Sequence, residues 1–152
     1  MRGVCPLHGV MVDPGSDAIE VPSLRYASNA LAANVTLSST STFYNGPSVA
    51  LSPGLWLASF HVTFARTTTT AVTYFARISG PTTVYASGQQ YSPSVANHYV
   101  QMSLTAVVRL TEASTLYGQG ATSSGSSGST MRAALSVGTN PGATQITAVK
   151  IG

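Results

Sequence analysis

Charge is what this sequence lacks most. Charged side chains make up 7% of its 152 residues, where an ordinary soluble domain carries roughly a quarter. A surface so weakly charged solvates a free monomer poorly and suits a protein whose Thr, Ser and Ala faces are buried inside a larger assembly at little desolvation cost. Cysteine is also scarce: Cys5 stands alone, which excludes an internal disulfide and leaves packing and oligomerisation to supply stability. Only four acidic residues are present, and Asp13, Asp17 and Glu20 crowd the first twenty positions. No apolar run approaches the 18 or so residues of a membrane span, and the start of the chain is broken by Asp, His and Pro, so neither a membrane nor an export signal is expected.

The net charge of +3 is spread thinly. Arg66, Arg77, Arg109 and Arg132 stand singly, without the basic cluster and interleaved aromatics of a nucleic-acid groove, so no nucleic-acid partner is expected. Catalysis needs a nucleophile, a base and an orienting group that converge, and the pool is His8, His61, His98, Cys5 and four acids. The chain therefore reads as no enzyme. Cys5 and His8 have the gap of a zinc half-site, but a structural zinc takes four ligands and no second pair exists, so no metal or other cofactor is expected. Asn34-Val35-Thr36 has the form of a glycosylation acceptor and reads more simply as the start of a strand.

What is present is alternation. Pro53-Gly54 opens the clearest strand, Leu55–Phe64, in which Trp56, Ala58, Phe60, Val62 and Phe64 share a core face while Leu55, Leu57, Ser59, His61 and Thr63 face the other way. Its natural partner is Tyr99–Leu110, which turns Val100, Met102, Leu104, Ala106, Val108 and Leu110 inward. The candidate core is accordingly Trp56, Phe60, Val62, Phe64, Met102, Leu104 and Val108. Further strands are expected at Asn34–Leu37, Ser48–Leu51, Ala71–Ser79, Thr83–Ala86, Leu116–Gly118, Met131–Val137 and Gln145–Ile151. Between them lie a Gly/Ser/Pro loop after Ala86 and a low-complexity loop over Gly120–Ser129. Ser28–Asn34 is the one stretch that suits a brief helix. Eight or nine strands at this spacing predict an all-β antiparallel β-sandwich or jelly roll, with closure into a barrel as the alternative.

The first 32 residues differ. Pro6, Pro14, Pro22, Gly3, Gly9 and Gly15 punctuate apolar pieces too short for core strands, which predicts an extended N-terminal arm over 1–32 and a β domain over 33–152. Leu7, Val10, Met11, Val12, Ile19 and Val21 equip such an arm to dock on a neighbour.

The run Ser48-Val49-Ala50-Leu51-Ser52-Pro53-Gly54-Leu55-Trp56-Leu57 resembles the opening strand of the tumour-necrosis-factor/C1q-like jelly rolls of bacteriophage head-decoration and head- or tail-fibre proteins. Thr144-Gln145-Ile146-Thr147-Ala148-Val149-Lys150-Ile151 is similar to the closing strand of that group. The resemblance covers residues 35–152. It implies a non-catalytic homotrimer seated on a capsid or fibre, and the arm together with the absence of a collagen-like or coiled-coil stalk favours a compact decoration protein. The expected function is therefore a structural virion protein, a capsid decoration (cement) protein on the outer capsid surface that contacts the major capsid protein and stabilises the shell. The alternative is a fibre or spike domain for host-surface carbohydrate. In that case Tyr85, Tyr91, Tyr99 and Tyr117 offer rings for glycan stacking; otherwise they serve packing or an interface.

Overall fold

The computed structural model describes residues 25–135 and 142–152, so the arm residues Leu7, Val10, Met11, Val12, Ile19 and Val21 lie outside the described residues. Among the described residues ten strands run in chain order: β1 Tyr26–Ala30, β2 Val35–Thr36, β3 Tyr44–Leu51, β4 Gly54–Arg66, β5 Val72–Ser79, β6 Val84–Ser92, β7 His98–Leu110, β8 Ser114–Thr122, β9 Ser129–Met131 and β10 Gln145–Lys150. One 3-10 turn, Gly125–Ser127, precedes β9. The long strands fall into two antiparallel sheets with orders β1-β10-β4-β7 and β3-β8-β5-β6. The chain passes from one sheet to the other at most of its connections, staying within a sheet only at β1–β2, β5–β6 and β9–β10, which is the jelly-roll wiring and not that of a closed barrel.

β4 is the spine of the first sheet. β7 pairs with it from Gly54 to Arg66, while β10 takes the opposite edge over Trp56–His61 and β9 takes it over Phe64–Arg66. The sharp entry into β4 depends on Gly54, whose φ of 142° is one that L side chains rarely adopt. From there the alternation is clean. Trp56, Ala58, Phe60, Val62 and Phe64 are all buried and meet Val49, Leu51, Tyr74, Ile78 and Leu116 of the second sheet in one core. Met102 and Val108 are buried from β7, and Leu104 is half-buried against the same core. Each such aliphatic or aromatic side chain contributes about 1.5–3 kcal/mol of burial.

Four expectations are corrected. Tyr26–Ala30 is a strand rather than the start of a helix, because its backbone pairs residue for residue with β10, and tertiary pairing overrides a weak local preference. β6 continues through the supposed loop to Ser92, held by an unbroken ladder to β5 from Ala86 to Ser92. Gly120–Thr122 likewise belongs to β8, and only the Ser/Gly stretch after it turns. Thr63 points away from the core by alternation yet is fully buried. Its hydroxyl donates to Ala143 O at 2.8 Å and its amide to Thr144 Oγ1 at 3.2 Å, so the segment leading into β10 covers it.

Candidate functional site

Two sheet faces look outward, and they differ in chemistry. On the first sheet the ladder registers align side chains into rows across all four strands. Tyr26, Val149, Leu57 and Val107 form one row; Ser28, Thr147, Ser59 and Thr105 the next; Ala30, Gln145, His61 and Ser103 the third. The apolar row is open to solvent, with Tyr26 63%, Leu57 40% and Val107 62% exposed. None of the three rows carries a Lys, Arg, Asp or Glu. The hydroxyl row is internally linked, Ser59 Oγ lying 3.3 Å from Thr105 Oγ1. An apolar stripe four strands wide with neutral hydroxyls on one side can be dried by a partner that leaves Arg109, exposed two residues beyond Val107 on the same face, at the rim.

The outer face of the second sheet is polar and aromatic. Asn45 of β3, Gln119 of β8 and Arg77 of β5 stand side by side across the ladder. Gln119 Oε1 accepts from Arg77 Nε at 2.6 Å and from Ser79 Oγ at 2.8 Å, while Gln119 Nε2 donates to Asn45 Oδ1. The Arg77 guanidinium carbon lies 3.9 Å from the centroid of the Phe43 ring, a cation–π stack. Tyr117 pairs with Ser79 on the same face and borders a cleft of about 600 Å³ lined also by Pro81, Glu112 and Thr115.

The four tyrosines singled out by sequence are therefore not one platform. Tyr91 and Tyr117 lie on the second sheet's outer face, Tyr99 is exposed on β7 of the first sheet, and Tyr85 is half-buried against the core.

The titratable groups do not assemble a catalytic centre among the described residues. His61 Nδ1 lies 3.0 Å from Ser103 Oγ, and His98 Nδ1 lies 3.0 Å from Ser92 Oγ. A serine–histidine pair acts as nucleophile and base when a third group orients the imidazole, and among the described residues no acid stands behind either ring. Ser92 is fully buried besides. Two groups that sequence reasoning missed are structural. Arg66 is buried and donates from Nη1 to Thr70 O and Ser92 O and from Nη2 to Pro93 O and Val95 O, tying the loops at both ends of the β5–β6 hairpin to β4. Tyr74 stacks on Phe64 with centroids 4.6 Å apart, and its hydroxyl meets Ser129 Oγ at 3.0 Å. Burial pushes the Tyr74 hydroxyl above its ordinary pKa, with the Ser129 hydrogen bond and the Arg66 charge pulling less strongly the other way. At the surface, hydrogen bonds from Ser38 and Ser39 hold Tyr44 below that value.

No protein-family model and no curated protein matches this sequence. Among solved structures the chain is similar to that of Eiger TNF from S. frugiperda, with a TM-score of 0.48 and 11% identity over 84% of this chain and 85% of that one. It is also similar to the structure of infectious bursal disease virus, Gx strain, with a TM-score of 0.47 and 15% identity over 96% of this chain and 42% of that one.

Proposed function

We propose that this chain is a structural virion protein, a capsid decoration protein that associates as a homotrimer and seats on the outer surface of a bacteriophage head. The segment before residue 25 contacts the major capsid protein, and the β domain bridges neighbouring subunits to stabilise the shell. The observation that supports self-association most directly is the outer face of the β1-β10-β4-β7 sheet, where Tyr26, Val149, Leu57 and Val107 form one row and neither it nor the two rows on its Ser59 side carries a charge. Burying these rows gains roughly 25 cal/mol for each Å² of apolar surface and buries no charge, while Arg109, exposed two residues beyond Val107, stays at the rim.

Sedimentation tests the trimer: a trimer at micromolar concentration that persists in molar salt supports the reading, and a monomer overturns it, since contacts without charges are insensitive to screening. Labelled protein rebound to particles lacking it tests the seat. Label spread over the whole head supports decoration; label confined to one vertex or to the tail points to a fibre or spike that recognises host-surface carbohydrate. That second reading draws on the Arg77, Phe43 and Gln119 constellation of the other sheet face.

A further inference from the structure

The Arg77 guanidinium is oriented from two sides. Phe43 lies against one of its faces, and Gln119 Oε1 holds Nε. Gln119 is itself fixed by Ser79 and Asn45, so the guanidinium has little freedom left to lose. Among the described residues no carboxylate answers it. Glu112 is the only acidic side chain from residue 25 onward, and it lines the cleft at the β7–β8 turn. Among the described residues the two Nη groups of Arg77 have no hydrogen-bond partner. A fork of N–H donors held in one plane matches the two oxygens of a carboxylate.

We infer that the outer face of the β3-β8-β5-β6 sheet binds the carboxylate of an acidic sugar through Arg77, with the Asn45 amide and the Tyr117 ring contacting the rest of the ring. Three features select this ligand. Arg77 is the one cation of this sheet, because Arg66, Arg109 and Lys150 belong to strands of the other sheet and Arg132 follows β9; a single positive charge matches one carboxylate better than a phosphate dianion or a polyanion. The position lies inside the sheet, where the backbone N–H and C=O groups are already paired across β3, β8 and β5, so an extended acidic peptide cannot dock by strand addition. Side-chain amides, hydroxyls and aromatic rings around the guanidinium are the groups that satisfy sugar hydroxyls and stack on sugar faces. The cleft beside Tyr117, with Glu112 to accept hydroxyl protons, gives a second sugar residue somewhere to lie.

This inference rests on the carbohydrate reading and names its ligand and residues; self-association through the other sheet face stands separately. The test is an NMR titration of the isotope-labelled full-length protein with N-acetylneuraminic acid, glucuronic acid, the methyl ester of N-acetylneuraminic acid and a short aspartate peptide, each at millimolar concentration. The expected result is saturable shifts of the Arg77 Nε–H and Gln119 side-chain amide signals with at least one of the two acidic sugars, at least tenfold weaker binding of the ester, and none of the peptide. Arg77→Gln should abolish the response while melting and sedimenting like the parent. Arg77→Lys, which keeps the charge without the fork, should weaken it at least several-fold. If neutral and acidic sugars bind alike, or if Arg77→Gln binds undiminished, the carbohydrate reading survives and the Arg77 assignment is overturned. If the peptide competes equally, the ligand is an acidic protein segment and the sugar assignment fails. If neither acidic sugar moves these signals, the assignment fails, and silence towards every sugar removes the carbohydrate reading with it.

Discussion

The Phe60 ring lies directly on the backbone of Gly118: a Cβ built at Gly118 would sit inside the ring's van der Waals shell, with Cε2, Cδ2 and Cζ as its nearest neighbours. Gly120 repeats the arrangement one pleat along, where an added Cβ would lie 2.6 Å from Met131 Sδ and 2.7 Å from Phe64 Cε1. The two core-facing glycines of β8 are the sockets for the two core phenylalanines of β4, and this fit sets how closely the sheets approach.

Gly118→Ala should therefore destabilise the protein by about 2 kcal/mol or more, although alanine is otherwise the better strand residue. Denaturant unfolding of Gly118→Ala, Phe60→Leu and the double variant measures it. The smaller side chain should recover part of the loss in the double variant, and strict additivity would show that the two residues are not in contact.

Arg66→Met should cost roughly 2–4 kcal/mol, because the carbonyls of Thr70, Ser92, Pro93 and Val95 lose their shared donor. Hydrogen exchange should localise the effect to the β4–β5 and β6–β7 connections. Uniform loosening of the whole domain would argue against a clamp on those two loops.

Stability should fall at alkaline pH. Tyr74 has a raised pKa in the folded protein and the ordinary value of 10.0 when unfolded. Its contribution is complete below pH 10 and is lost as pH rises through the folded value, since the unfolded chain releases the proton first. Tyr74→Phe should melt lower at pH 8, through loss of the Ser129 hydrogen bond, but show a shallower decline between pH 9.5 and 11.5. Equal slopes for both proteins would assign the alkaline loss to other groups.

If the face carrying Leu57 and Val107 is buried between subunits, Leu57→Glu and Val107→Glu should each yield folded monomer, as judged by sedimentation and an unchanged far-ultraviolet spectrum. Both side chains are exposed in the single chain, so neither change disturbs the core. Trimers that survive both substitutions would move the contact elsewhere.

Truncation separates attachment from folding. Removing residues 1–24 keeps β1 on β10 and should leave the melting temperature nearly unchanged while weakening binding to particles strongly. Removing residues 1–30 strips β1, uncovers the β10 edge and should lower the melting temperature. Normal decoration by the shorter truncation would place the attachment surface on the β domain.

The amino-acid sequence by itself determined what local alternation can encode. Trp56 to Phe64 and Val100 to Leu110 declare their inward faces because side chains in a strand alternate whatever the strand pairs with, and Pro53-Gly54 declares where β4 begins. Tertiary structure decided whatever depends on a neighbour distant in sequence. Gly118 reads as the end of a short strand and Gly120 as the start of a loop until Phe60 and Phe64 are set against them. Tyr26–Ala30 is a strand because β10 lies beside it. Arg66 and Arg77 look alike as single cations in alternating strands, yet one is sealed inside by loop carbonyls and the other is laid on Phe43 and held by Gln119 across a strand pair. Alternation states which way a side chain points; only the pairing of sheets states what it meets there.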